Sequence, residues 1–199
     1  MEKFSLQTFI KICIQDTGTR ISELQRKVEN IGNGYDFYNS FYRAVSLYIE
    51  DGNTDRANVV ISDPANSHER KYNSLAFNAF LKKFGSVKSL CSVEQKAAFT
   101  PSNSNFQINI NPLFALEKAG KRHVYCTWQV QTPSLSQKYG AVACHIMRQA
   151  FKSTSLANAE FYFYDLTLGR SYSEKQITNT TSKILQADSR MISQELTEL

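Results

Sequence analysis

Residues 123–131 read HVYCTWQVQ. Val124, Cys126, Trp128 and Val130 alternate with His123, Tyr125, Thr127, Gln129 and Gln131. A period of two sends the first set to one face of a strand and the second to the other. The apolar face marks a strand laid on a core. The opposite row carries no carboxylate and no lysine. A half-exposed sheet gives that alternation, and so does a surface that hydrogen-bonds phosphates or a partner without a metal. His123, Tyr125, Thr127, Gln129 and Gln131 therefore form a candidate polar strand site.

Outward from this strand, the turn signal Lys118-Ala119-Gly120-Lys121 pairs it with residues 113–117 as a hairpin. Before that, NFQININP alternates Phe106, Ile108 and Ile110 with polar residues until Pro112, the pattern of another strand. Downstream, Ser134 or Ser136 caps a helix running to Phe151, with Tyr139, Val142, Ala143, Ile146 and Met147 on one face. EFYFYDLTL, residues 160–168, is the most strand-prone run and ends at Gly169. A final helix from about Ser173 carries Ile177, Ile184, Leu185, Met191, Ile192 and Leu196 as its stripe. Asp188 interrupts its heptad spacing, which argues against a long coiled coil.

The N-terminal third reads as short helices. Ser5 caps a first, ended by Asp16-Thr17-Gly18. A second begins near Thr19, and Gly32-Asn33-Gly34 breaks it. A third follows, its row of Tyr38, Phe41, Tyr42, Val45, Tyr48 and Ile49 closed by Gly52. This acidic, aromatic segment reads as a helical cap rather than a DNA-reading helix-turn-helix. Residues 51–67 read as a turn-rich linker with a short strand at Val59-Val60-Ile61. A helix from Glu69 to Phe84 comes next, and 86–104 has no clear period.

The chain has 199 residues, enough for one well-buried core. No stretch approaches a membrane span, and the start lacks the cleavage site of a signal peptide. Cys13, Cys91, Cys126 and Cys144 are widely spaced, which reads as reduced thiols in a cytoplasmic protein. The net charge of +5 is unevenly spread. Residues 68–152 carry 12 Lys/Arg against Glu69, Glu94 and Glu117, while both flanking segments are net acidic. Such clustering points to a polyanion. Lys71, Lys82, Lys83, Lys88, Lys118, Lys121 and Arg122 are the candidate binding residues.

The order helix, strand, strand, strand, helix, strand, with Tyr35-Asp36-Phe37-Tyr38, Asn111-Pro112 and DLTLGRSY (165–172), resembles the restriction-endonuclease-like, or PD-(D/E)xK, fold. It is also similar to an uncharacterised family of bacterial and mobile-element, including phage, proteins. The resemblance spans about residues 35–172. It implies a sheet whose acidic residues hold Mg²⁺ for cleavage of DNA. By strand order those positions fall near Asn109 or Asn111 and near Thr127, Gln129 or Gln131, and all are neutral. Neutral amides give Mg²⁺ little reason to shed water. The resemblance thus implies a core without the usual catalytic residues, with Asp165 and Glu117 as the acids a divergent nuclease would use.

Other chemistries lack their residues. His123 and Cys126 point to opposite faces of a strand, and Cys144 and His145 diverge on a helix, so neither pair starts a zinc site. The same divergence denies a Cys/His nucleophile. Gly32-Asn33-Gly34 follows a helix, unlike a dinucleotide loop. No catalytic residue, cofactor or metal ligand is assigned. The expected protein is α+β: a helical N-terminal module (1–56), an α/β core with a mixed sheet flanked by helices (57–172) and a C-terminal amphipathic helix (173–199). The expected function is non-catalytic binding of nucleic acid or an acidic protein surface. The alternatives are a scaffold subunit assembling through the C-terminal helix, as a homo-oligomer or in a larger complex, and a divergent metal-dependent nuclease.

Overall fold

A computed structural model describes residues 1–29 and 36–199. Ile31, the Gly32-Asn33-Gly34 break and Tyr35 lie outside the described residues. The fold is α+β, as the sequence leads one to expect, with a C-terminal helix. The elements run β1 (Glu2–Ser5), α1 (Leu6–Ile14), α2 (Thr17–Val28), α3 (Asn39–Asp51), α4 (Thr54–Ser62), α5 (Ser67–Phe84), β2 (Leu90–Cys91), β3 (Ala97–Phe99), β4 (Phe106–Ile110), β5 (Phe114–Lys118), β6 (Lys121–Trp128), α6 (Gln137–Phe151), β7 (Glu160–Asp165), β8 (Arg170–Ser173), a 3-10 turn (Glu174–Gln176) and α7 (Asn179–Glu198).

Two mixed sheets form. The larger has the order β2-β5-β6-β7-β8, the smaller β1-β4-β3. In the larger, β6 and β7 are parallel and joined by α6, while the other pairs are antiparallel. In the smaller, β1 runs parallel to β4 and β3 antiparallel to it.

Strand β6 lies at the centre of the large sheet and is buried on both faces. Val124, Cys126 and Trp128 face a core shared with α1, α6, α7 and the small sheet, where Phe9, Phe106, Ile146, Phe161, Phe163 and Ile192 are all fully buried. The other face meets a second core under α3, α4 and α5, built on Phe41, Phe77, Phe80, Phe84, Phe114 and Tyr125. The half-exposed sheet expected from the alternation is therefore not what forms. Helices α3 and α5 cover the middle of the polar row: Phe84 lies against Phe114, Tyr125 and Tyr164 with ring centroids 4.8–5.3 Å apart, and Tyr42 meets Gln129.

One more expectation changes, and two stretches find their place. Val59-Val60-Ile61 is helical: Asn53 accepts the Asp55 N–H as an N-cap, and Ala57 and Ile61, four residues apart, bury one face. The supposed linker is thus α4 and a turn. Residues 86–104 supply β2 and β3. The strand at 106–110 belongs to the small sheet, whereas the hairpin belongs to the large one. Contacts run across residues 56 and 172: α3 packs on α4 and α5, β1 pairs with β4, and α7 packs on α2 and α6.

Candidate polyanion-binding site

The β5–β6 hairpin closes through a two-residue turn. Lys118 and Lys121 are register partners, and Ala119 and Gly120 both take left-handed backbone angles (φ 51° and 72°). That conformation matches the twist of the flanking strands. The turn therefore presents Lys118, Lys121 and Arg122, all exposed, at one end of the large sheet.

Neighbouring segments bring further cations to this end. Leu90 pairs with Leu116, and Ser89 donates its hydroxyl to the Glu117 carbonyl at 3.1 Å, so the turn before β2, which carries exposed Lys88, lies at this end of the sheet. On the other side, β7 enters the sheet with Glu160 opposite His123. The loop before it, residues 152–159, begins at Lys152, the C-cap of α6. Ser155 in this loop donates to Gln95 at 2.5 Å, which draws exposed Lys96 to the same end. The loop is clamped by Arg148. Its guanidinium is bidentate to Glu174, donates to the Ala157 and Ala159 carbonyls at 2.6 Å each, and lies over Phe161.

The acids at this end are few. Glu160 accepts from Lys121 at 3.0 Å and from the Tyr162 hydroxyl at 2.8 Å, and these bonds, Lys121 first, hold its carboxyl below the usual range. Glu117 stands opposite Arg122. Glu94 is exposed beside Gln95. Lys88, Lys96, Lys118 and Lys152 have no carboxylate within ion-pair distance among the described residues.

The remaining expected cations are on α5 and do not all lie together. Lys71 is near the start of α5, its Nζ over the Tyr72 ring at 5.7 Å. Lys82 and Lys83 are exposed in the last turn of α5. Eleven residues of helix, about 16 Å, separate Lys71 from Lys82. Lys96 and Lys152 were not singled out in the sequence. The contact that aligns their segments spans 60 residues and leaves no local pattern.

The polar strand residues divide. His123 stacks on Tyr162 at 5.0 Å, its Nε2 3.7 Å from Glu160, at the edge of the basic end. Tyr125 is stacked between Phe114 and Tyr162, and burial pushes its hydroxyl up to about 12. Thr127 donates to Gln129 at 3.3 Å, Gln129 to the Tyr42 hydroxyl at 2.6 Å, and Tyr42 to Gln7 at 3.0 Å. Tyr125, Thr127 and Gln129 are buried beneath the helices; Gln131 is exposed beyond the strand.

The positions that the fold resemblance assigns to metal do not meet on neighbouring strands. Asn109 lies on β4 in the small sheet and pairs with Ser5 and Ala98. Asp165 is fully buried, and its Oδ1 accepts from the Thr167 N–H and hydroxyl and from the Leu168 N–H at 2.7–3.1 Å. Glu117 pairs with Arg122, whereas Asp165 aligns with Trp128. Six residues of strand, about 20 Å, separate those rows. One ion cannot bridge them. Among the described residues, no group of three or more His, Cys, Asp or Glu is placed to hold a metal, and no helix is long and apolar enough to cross a membrane. Compared with known proteins, the chain matches no family model and no curated protein.

Proposed function

We propose that this protein is a non-catalytic binding protein, of bacterial or phage/mobile-element origin, that engages nucleic acid through the basic end of its large sheet. One observation carries the reading: four separate segments converge there, bringing Lys88, Lys96, the Lys118–Arg122 turn and Lys152. Charge gathered from distant parts of the chain forms a surface that attracts phosphates and releases their counterions. The separation of Asp165 from Glu117 supports binding over cleavage.

The test is an anisotropy titration of labelled DNA and RNA, with and without Mg²⁺, for the wild type and a Lys118→Glu/Arg122→Glu variant. Going from about 50 to about 200 mM salt is expected to weaken wild-type binding about 100-fold, corresponding to about four phosphate contacts. The variant is expected to lose most of that affinity at an unchanged melting temperature. Binding that ignores salt and the double reversal, with preference for an acidic protein, moves the partner to protein. Mg²⁺-dependent shortening of the probe restores the nuclease reading.

A further inference from the structure

The C-terminal helix is part of the fold. Leu185 and Ile192 of α7 are buried in the larger core, with Ile177, Ile184 and Leu196 packed against it. Arg20 of α2, only 5% exposed, grips Glu195 of α7 through Nε and Nη2 at 2.7–3.1 Å. Between Leu185 and Ile192, at a position whose helical spacing belongs to the apolar stripe, stands Asp188.

The surroundings of Asp188 are drawn from four elements. From α1 comes the Cys13 thiol, and from α6 the Tyr139 hydroxyl, which donates to the Cys13 carbonyl at 2.9 Å. Lys138 of α6, with its Nζ over the Tyr139 ring, and Arg20 of α2 supply positive charge. On α7 itself, Glu195 lies two turns further along the same face and is engaged by Arg20. Asp188 is half-buried: its Oδ2 is enclosed and meets no donor at ordinary hydrogen-bond length among the described residues, while the Tyr139 hydroxyl and the Cys13 thiol beside it favour the ionised carboxylate. A carboxylate oxygen without a donor is costly to bury, whereas a carboxylic acid is not.

We propose that Asp188 is a proton-operated latch: protonated, it lets α7 seat on α1, α2 and α6, and ionised, it loosens that seat. Burial raises the Asp188 pKa above the ordinary carboxylate value, against the opposing pull of Lys138, Tyr139, Arg20 and Cys13. A group whose folded-state pKa is raised contributes stability that is complete below its unfolded pKa and is lost as pH rises through the folded value. Docking of α7 therefore weakens from the ordinary carboxylate range upward. An unseated α7 uncovers Leu185 and Ile192 together with the facing surface of α6.

Hydrogen exchange of the α7 amides tests this at about pH 4 and about pH 8, either side of the carboxylate range. After correction for intrinsic rates, α7 of the wild type is expected to open more often at the higher pH, by about tenfold for each unit of raised pKa. Asp188→Asn is expected to abolish that dependence and to protect α7 at the higher pH. Glu198→Gln, at an exposed carboxylate, is expected to behave as wild type. Equal opening of wild-type α7 at both pH values overturns the proposal, as does a slope that survives in Asp188→Asn. If that variant does not fold, the ¹³C titration of the wild-type Asp188 carboxyl decides: a midpoint at or below the ordinary Asp value overturns the latch.

Discussion

At the scale of single residues, the tightest constraint is Gly140. A Cβ there would stand 2.3 Å from Cγ of Tyr172, and the neighbouring ring carbons are almost as close. Tyr172 is buried, with its hydroxyl donating to the Leu135 carbonyl, so the ring has little room to retreat. Gly140→Ala is expected to destabilise the fold by about 1–3 kcal/mol, as overpacking does, read as a lower midpoint in urea. Sequence did not reveal this glycine, because it sits inside an otherwise ordinary helical stripe and its partner is 32 positions away. The exposed turn cations were more legible: Lys118, Lys121 and Arg122 flank a recognisable turn signal, and a turn leaves its side chains outside.

Elements were readable in proportion to their periodicity. Strand β6, the β5–β6 hairpin, α5, α6 and the last helix all follow from apolar spacing, and the structure contains each of them. Helix α4 did not, since Val59-Val60-Ile61 is β-branched and the local preference points to strand. Tertiary packing of Ala57 and Ile61, together with the Asn53 cap, prevails. Asn53→Ala is expected to cost about 1 kcal/mol, measured by thermal unfolding, and to fray α4. A strand at that site would show no such sensitivity. Alternation along β6 told which residues share a face but not what lies over that face. The polar row looked free because Tyr, Thr and Gln satisfy one another under a helical layer as well as they do in water.

Across the whole molecule, the large sheet divides two cores, and both need helices from distant parts of the chain. The larger core is closed by α7, whose removal would strip Leu185 and Ile192 from it, uncover the apolar face of α6 beneath them and take Glu195 from Arg20. A chain ending at residue 172 is accordingly expected to lose cooperative melting, followed by far-UV circular dichroism. A truncated chain that melts sharply near the full-length temperature would show α7 to be an appendage. Such whole-chain dependence was hidden in the sequence, where the last helix reads equally as a docking arm. Which of the two sheets each strand joins was hidden too, because period reports a face and never a neighbour.

The placement of Trp128 has a practical corollary. It is the chain's one tryptophan, fully enclosed against Phe163 on the side where α6 and α7 lie, whereas the lysine-rich turn stands at the opposite end of the same strand. Nature has thereby installed a built-in optical gauge that sees only one half of the interior. Its ultraviolet emission should stay blue when the proposed nucleic-acid ligand is added, and should drift red once solvent reaches the indole. Watching one colour would thus report opening of that core, undisturbed by events at the far end of the strand, without any added dye.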